Sequence, residues 1–250
     1  MPNGDPHAFT QVLYGCEPSD VAKNVILTPF DKALDGLKQR VNGVRESQGF
    51  FHGFNGEIEG IPVSVFNSRI GSPSASDCVY FLRFTPCRNI LYTGLIGALQ
   101  PGIRVGDIIV PTAALRGEGA SKYFVEKSYP AVADFQLLKA LSSTLDEAFS
   151  ESDAAIHYGP IYTTDSFAAE TNEFLERWRS RNLLGIEMET SVVYTLAQLY
   201  GMRSVAAHVV SDNPLIKKSF FHPIPEADEG RMGRSGGLLL DSLIRLLKKI

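Results

Sequence analysis

The sequence has no excess of positive charge: 24 lysines and arginines against 28 aspartates and glutamates leave a formal net charge of −4. Such a balance excludes a broad electrostatic grip on nucleic acid, while leaving room for a small pocket that takes one anion or sugar. Cysteine is scarce as well. Cys16, Cys78 and Cys87 have neither the even count of a disulfide framework nor the close spacing of a zinc site. They read as thiols in a reducing compartment, and no metal is expected. No apolar run reaches the roughly 18 residues that span a bilayer, and no basic-then-apolar leader is expected, so the reading is a cytoplasmic protein with no membrane partner. Internal repeats and domain linkers are also missing. The 44% hydrophobic content over 250 residues suffices for one substantial core. A single α/β domain is expected over 25–250, and the polar opening 1–24, with Pro2, Gly4, Pro6 and Pro18, reads as an arm ahead of it.

What is present alternates between the two periodicities of regular structure. Val25-Ile26-Leu27 reads as a short buried strand, after which Phe30, Leu34, Leu37 and Val41 recur at helical spacing. From Phe50 to Phe66 short strands are expected, broken at Asn55-Gly56 and at Gly60. Ser72-Pro73-Ser74 looks like a helix start, since serine caps free amides and proline suits a first turn; the helix should run to about Phe84. Asn89–Thr93 and Asp107–Pro111 are buried-strand candidates flanking the glycine-containing stretch Gly94 to Gly106. Helix is then expected over Ala133–Phe149, strand over Ile156–Thr164 and helix over Asn172–Arg179. Gly185-Ile186-Glu187 leads into a helix ending near Gly201, Ser204–Ser211 returns as a strand, and Leu238–Lys249 closes as an apolar-faced helix. This order implies a three-layer α/β sandwich around a central mixed sheet.

Three segments place a carboxylate at the end of an expected strand, where ligand crevices of α/β sheets lie. They are Gly185-Ile186-Glu187-Met188-Glu189-Thr190, Val209-Val210-Ser211-Asp212-Asn213 and Thr163-Thr164-Asp165-Ser166-Phe167. Each alone has a bland account as a solvated strand end, and for Met188 and Phe167 the competing account is core packing.

Glu-Met-Glu opening a helix, followed by a strand that ends in Ser-Asp, resembles the purine nucleoside phosphorylases and related nucleosidases. Thr93-Gly94 with Gly97-Ala98, then Val105-Gly106-Asp107-Ile108-Ile109-Val110, is similar to that superfamily's glycine loop and next strand. Arg116-Gly117-Glu118-Gly119-Ala120-Ser121 resembles its uridine phosphorylase branch. The resemblance implies a nucleoside phosphorylase-like fold, cleavage of the bond between ribose and base, no cofactor beyond phosphate as co-substrate, and a homo-oligomer between dimer and hexamer. It also implies roles. Glu189 would fix the ribose hydroxyls and stabilise the cationic sugar, Met188 would lie against the ribose, and Glu187 would support both. Asp212 would protonate the leaving base, and Phe167 would pack on it. His7 resembles an amino-terminal histidine that reaches a neighbouring subunit's nucleoside; its other reading is a histidine in an arm. His208, inside an apolar strand, reads as a core residue.

The chain departs from this pattern where phosphorylases hold phosphate. In Thr28-Pro29-Phe30-Asp31-Lys32-Ala33-Leu34 the glycine of the family's turn is replaced by Phe30 and the arginine is missing; Tyr92 replaces a second arginine and Leu95 a phosphate donor. Three accounts stay open at this stage. Water replaces phosphate, with Asp31 the carboxylate nearest the place of the activating group; or a relocated anion site uses Gly94 with Arg69 or Arg45; or catalysis is lost and the fold binds a nucleoside. Uracil recognition is not expected, because Thr171 and Glu173 replace the glutamine and arginine that read it, and Asp212 favours a purine. Lys217 and Lys218 read as a solvated pair or as residues approaching the pocket.

Overall fold

In a computed structural model, which describes residues 5–214 and 223–250, the chain is built on a nine-stranded mixed sheet. Strand β1 (Asn24–Thr28) is buried at every position, as expected of a short run of Val, Ile and Leu with neighbours on both sides. It pairs in parallel with β4 (Ile61–Asn67) on one side and β5 (Asn89–Ala98) on the other. Outside β4 lie β3 (Gly53–Ile58) and the edge strand β2 (Asn42–Ser47), both antiparallel. Beyond β5 the order is β8 (Gly185–Glu187), β7 (Ile156–Thr163), β6 (Ile108–Arg116) and β9 (Arg203–Asp212), and β9 pairs back onto β5. That last pairing closes β5, β8, β7, β6 and β9 into a ring. Ile96, Ile103, Ile109, Ala114, Ile161 and Val210 form one small apolar cluster within this half of the sheet.

Alternation along the strands distributes the remaining apolar side chains to two helical layers. Ile26, Val63, Val65, Leu91, Val205 and Ala207 cluster with α2 (Asp31–Lys38), α4 (Phe135–Ala148) and α7 (Glu226–Leu247). Val25, Leu27, Ile90, Tyr92 and Ala206 cluster with α3 (Ser72–Leu82) and α6 (Thr190–Leu199). The expected three-layer sandwich with a central mixed sheet is the observed fold. Helix α5 (Asn172–Arg179) is capped by Thr171, whose side chain accepts from Phe174 N.

Several expectations need correction. The opening is not a loose arm: residues Pro6–Tyr14 form helix α1, with the Asp5 side chain accepting from His7 N, proline at its start and a left-handed Gly15 at its end. Tyr14 is fully buried, and its hydroxyl donates to Cys78 O in α3 at 2.5 Å. The helix has no buried apolar stripe: its buried positions are Thr10 and Tyr14, while Phe9 and Val12 are exposed. Asn55-Gly56 is not a turn but the middle of β3. Asn55 is buried between Ser64 and Ser47, and at Gly56 a Cβ would fall 2.4 Å from Val41 Cγ1, so glycine there serves close packing. The hairpin turns at the other expected break, Glu59-Gly60, both with positive φ. Helix α7 begins twelve residues before the expected Leu238, because its first half has no apolar stripe to betray it.

Candidate active site

The carboxyl ends of β1, β4 and β8, with the middle of β5, meet the amino termini of α3 and α6, and there the sequence's Glu-Met-Glu segment is pinned. Gly71, immediately before α3, has φ 98°, a conformation open to glycine, and this turns its N–H toward Glu189 Oε1 at 2.5 Å. Ser72 Oγ donates to Met188 O at 2.5 Å, so α3 holds both residues by their polar atoms.

Glu187 and Glu189 are both buried, and their surroundings differ. Glu187 is met by four donors: Thr163 Oγ1 at 2.5 Å, the N–H groups of Glu189 at 2.8 Å and Thr190 at 2.7 Å, and Thr190 Oγ1 at 2.8 Å. Burial pushes its carboxyl up while these donors oppose the shift. Glu189 is lifted to about 8, first by burial and then by the charge of Glu187, against the Gly71 N–H. In a close pair of buried carboxyls the charge settles where the donors are, so Glu187 carries it and Glu189 keeps the proton.

Tyr92, on β5, is fully buried beside these acids. Burial, then Glu189 and Glu187, raises its phenol well above the ordinary value, so a neutral group stands where the resemblance has an arginine. Two places along β5, Gly94 is registered against His208. His208 is fully buried, pushed down to about 3 by burial, and therefore neutral. Thr190 Oγ1 bonds its Nε2 at 2.9 Å while donating to Glu187, which leaves Nδ1 without a partner among the described residues. His208 is a core residue, as its apolar strand implies.

Asp212 ends β9. Ser211 Oγ donates to its Oδ1 at 2.8 Å, and that oxygen neighbours Gly97, where an added Cβ would sit in ordinary contact at 3.4 Å. The loop after β7 carries Phe167 as the first residue of a 3-10 turn over Phe167–Ala169, 52% exposed. That loop is tied to the segment after β6 by Gly119 N, which donates to Asp165 Oδ2 at 2.8 Å. Arg116 is committed to structure there, donating to the carbonyls of Glu126 at 2.7 Å and Tyr129 at 2.9 Å.

The candidate anion groups separate. Gly94 borders a cavity of about 360 Å³ between α2, α7, the middle of β5 and Val209 of β9, lined also by Phe30, Lys32, Thr93 and Leu95. Arg69 lies on the Gly71 side with left-handed φ 62°, its Nε donating to Phe50 O at 2.9 Å and its guanidinium 5.5 Å from the Phe50 ring. Arg45 is exposed on the edge strand, in a register that runs through Asn55, Ser64 and Val25 to Ile90, four strands from β5. Within one chain it is not brought to Glu189. Neither is His7, which is exposed on α1 and packs near Phe84, beyond the far end of α3 from Gly71. Asp31 is exposed at the start of α2, where hydrogen bonds from Asn67 at 2.7 Å and His52 at 2.8 Å hold its carboxyl below the ordinary value. Lys217 and Lys218 lie outside the described residues.

Sequence reasoning missed one acid. Glu170 follows the Phe167–Ala169 turn, and burial together with nearby Asp212 lifts its carboxyl to about 7. A lone glutamate in a polar loop gives no sequence signal.

Paired buried acids and a glycine-bearing strand lie together on interior strands of an α/β sheet, the region where ligand crevices of such folds occur. The chain belongs to the Phosphorylase superfamily, whose family model matches residues 23–243. It is 37% identical over 159 residues to a guanosine phosphorylase of Halorubrum lacusprofundi, covering 64% of each chain, somewhat under two thirds of that relative. It is 32% identical over 211 residues to a uridine phosphorylase of Thermococcus kodakarensis, covering 78% of this chain and 74% of that one. The fold matches a crystal structure of uridine phosphorylase from Vibrio fischeri with a TM-score of 0.83 at 24% identity, over 97% of this chain and 100% of the other. Among the described residues no helix is long and apolar enough to cross a membrane.

Proposed function

We propose that the chain cleaves the N-glycosidic bond of a purine nucleoside by phosphorolysis, in nucleoside metabolism. Phosphate is the co-substrate, and no other cofactor is called for. In this reading Glu189 and Met188 hold the ribose, Phe167 stacks the base and Asp212 protonates a ring nitrogen of the leaving purine. The bond from C1′ to the base breaks with its electron pair moving onto the base, and a phosphate oxygen closes on C1′ to give ribose 1-phosphate. The observation that carries the reading is the Glu187–Glu189 pair. A protonated Glu189 is poised to ionise when ribose hydroxyls donate to it, and its negative charge then faces the sugar as positive charge develops.

Hydrolysis is the second reading, favoured by neutral Tyr92 where a phosphate cation is expected. Against it, the carboxylate available to activate water, Asp31, is held below its ordinary value and is a weak base. For the anion, Gly94 with Arg69 is the better-placed combination, and Arg45 the more distant one. A homo-oligomer fits the exposed apolar side chains Val12, Phe50 and Ile70, and His7 is exposed on α1, where a neighbouring subunit could meet it. The free thiols Cys16, Cys78 and Cys87 fit a cytoplasmic protein.

Incubating the protein with guanosine, inosine, adenosine and uridine, with and without phosphate, tests the reading. Phosphate-dependent release of purine with ribose 1-phosphate is expected. Phosphate-independent release with free ribose would establish hydrolysis, and binding without release would establish a nucleoside-binding protein.

A further inference from the structure

His208 is fully buried between Ala207 and Val209, and among the described residues only one of its two ring nitrogens has a partner. Counting hydrogens fixes its tautomer. Thr190 Oγ1 has one proton and donates it to Glu187 Oε2 at 2.8 Å, so its 2.9 Å contact with His208 Nε2 closes only if Nε2 carries the ring proton and donates. With the proton on Nδ1 instead, two lone pairs would face each other at that contact. A buried N–H would also go unmet beside Gly94, where an added Cβ would lie 3.5 Å from Nδ1. Burial keeps the ring neutral, so it brings one donor and no charge. The outcome is a directed chain of hydrogen bonds from His208 on β9, through Thr190 at the start of α6, to Glu187 on β8. An apolar side chain would fill the same place without stranding a nitrogen, and the donor is what the imidazole adds.

We propose that His208 is a positioning residue for the acid pair: its Nε2–H, handed on through the Thr190 hydroxyl, holds the pair's negative charge on Glu187 and so leaves the proton on Glu189. This role presupposes the ribose-holding pair proposed above and names a group that sets it. A hydroxyl that accepts a hydrogen bond becomes a better donor in turn, so the imidazole strengthens a bond to Glu187 that it does not itself make. The groups facing the pair from the surrounding elements are the Tyr92 phenol on β5, the Thr163 hydroxyl on β7 and the Tyr194 phenol on α6. Glu118 is joined to the same helix by Ser191 Oγ, which donates to it at 3.2 Å. Burial raises both phenols, which therefore stay neutral. No cation stands among these groups, and the division of charge falls to the donors.

Two readouts on the whole chain test the role. The first needs no substrate: long-range proton–nitrogen NMR of the imidazoles, with His208 assigned by the signals missing from His208→Gln, should show an Nε2–H ring that does not titrate from about pH 5 to about pH 8. An Nδ1–H ring, or one that titrates in that range, would overturn the donor chain. The second is kcat/KM against pH for a purine nucleoside with phosphate, using wild type, His208→Gln, His208→Asn and Thr190→Val. Glutamine sets an amide N–H where Nε2 stood, asparagine is too short to do so, and valine keeps the shape of Thr190 without its hydroxyl. Losing the donor makes Glu187 easier to protonate. His208→Asn and Thr190→Val should therefore move the acid limb up by about one pH unit, a roughly tenfold loss of kcat/KM below the limb, while His208→Gln keeps it near the wild-type place. An equal loss at every pH, with the limb unmoved in both, would reduce His208 to packing and overturn the proposal. A wild type that cleaves no purine nucleoside would overturn the functional reading, and the tautomer would then decide the donor chain by itself.

Discussion

The proton on Glu189 can be tested by stability alone, with no assumption about substrate. Glu189 has a folded value of about 8 against an ordinary 4.5, so between those limits the folded protein holds a proton that the unfolded chain releases. The sign follows directly. The favourable contribution is complete below the unfolded value and is lost as pH rises toward the folded one, at about 1.4 kcal/mol per pH unit. From pH 5.5 to pH 8 this amounts to roughly 3 kcal/mol, or on the order of 6–12 °C in Tm for a chain of this size. Glu189→Gln removes the titration and keeps an oxygen to accept from Gly71 N. Thermal unfolding of both proteins across that range should show the Tm of the variant rising relative to wild type as pH increases, then holding steady above about pH 8. A difference that stays flat over the range would refute the raised value and the division of charge between Glu187 and Glu189.

Other perturbations reach other parts of the account. Asp212→Asn should lower kcat on purine nucleosides by about 10²–10⁴-fold with KM little changed, as steady-state kinetics would show; an equal fall in binding would assign Asp212 to recognition instead. Gly71→Ala forces a side chain into φ 98° and should cost about 1–3 kcal/mol in denaturant unfolding, with a larger loss of activity because the N–H held toward Glu189 shifts. Tyr14→Phe removes the donor to Cys78 O and should destabilise by about 1–2 kcal/mol in urea; no change would make α1 dispensable to the fold.

The sequence disclosed the parts of the fold where one residue pattern has one solution. Val25-Ile26-Leu27 is legible because a continuous apolar run of that length is a strand buried on both faces, and Ser72-Pro73 because its chemistry starts a helix. The ring closure of β9 onto β5 is a tertiary fact with no local signature. Asn55-Gly56 misleads for the same reason: a turn-forming pair became mid-strand once Ser64 and Ser47 satisfied Asn55 and Val41 packed on Gly56. In α7, Gly230, Gly233, Gly236 and Gly237 erase the stripe that would have extended the helix to Glu226.

For the site, Glu187, Met188 and Glu189 were legible as a motif, and the structure adds what a motif cannot hold, namely which of the two acids has the donors. Tyr92 was visible as a departure, but its neutrality depends on burial beside those acids. His7 and Arg45 carry a resemblance that sequence position alone cannot convert into proximity, and within one chain both lie away from Glu189. Glu170 was invisible because what distinguishes it is its neighbour Asp212, more than forty positions later in the chain.

The most direct measurement is ribose 1-phosphate formed from a purine nucleoside in phosphate buffer by wild type and by Glu189→Gln, followed by phosphorus NMR. The account predicts a phosphate-dependent product signal from the wild type and a rate at least about a hundredfold lower from the variant. A variant that forms the product at the wild-type rate would contradict the assignment of the site to the buried glutamate pair.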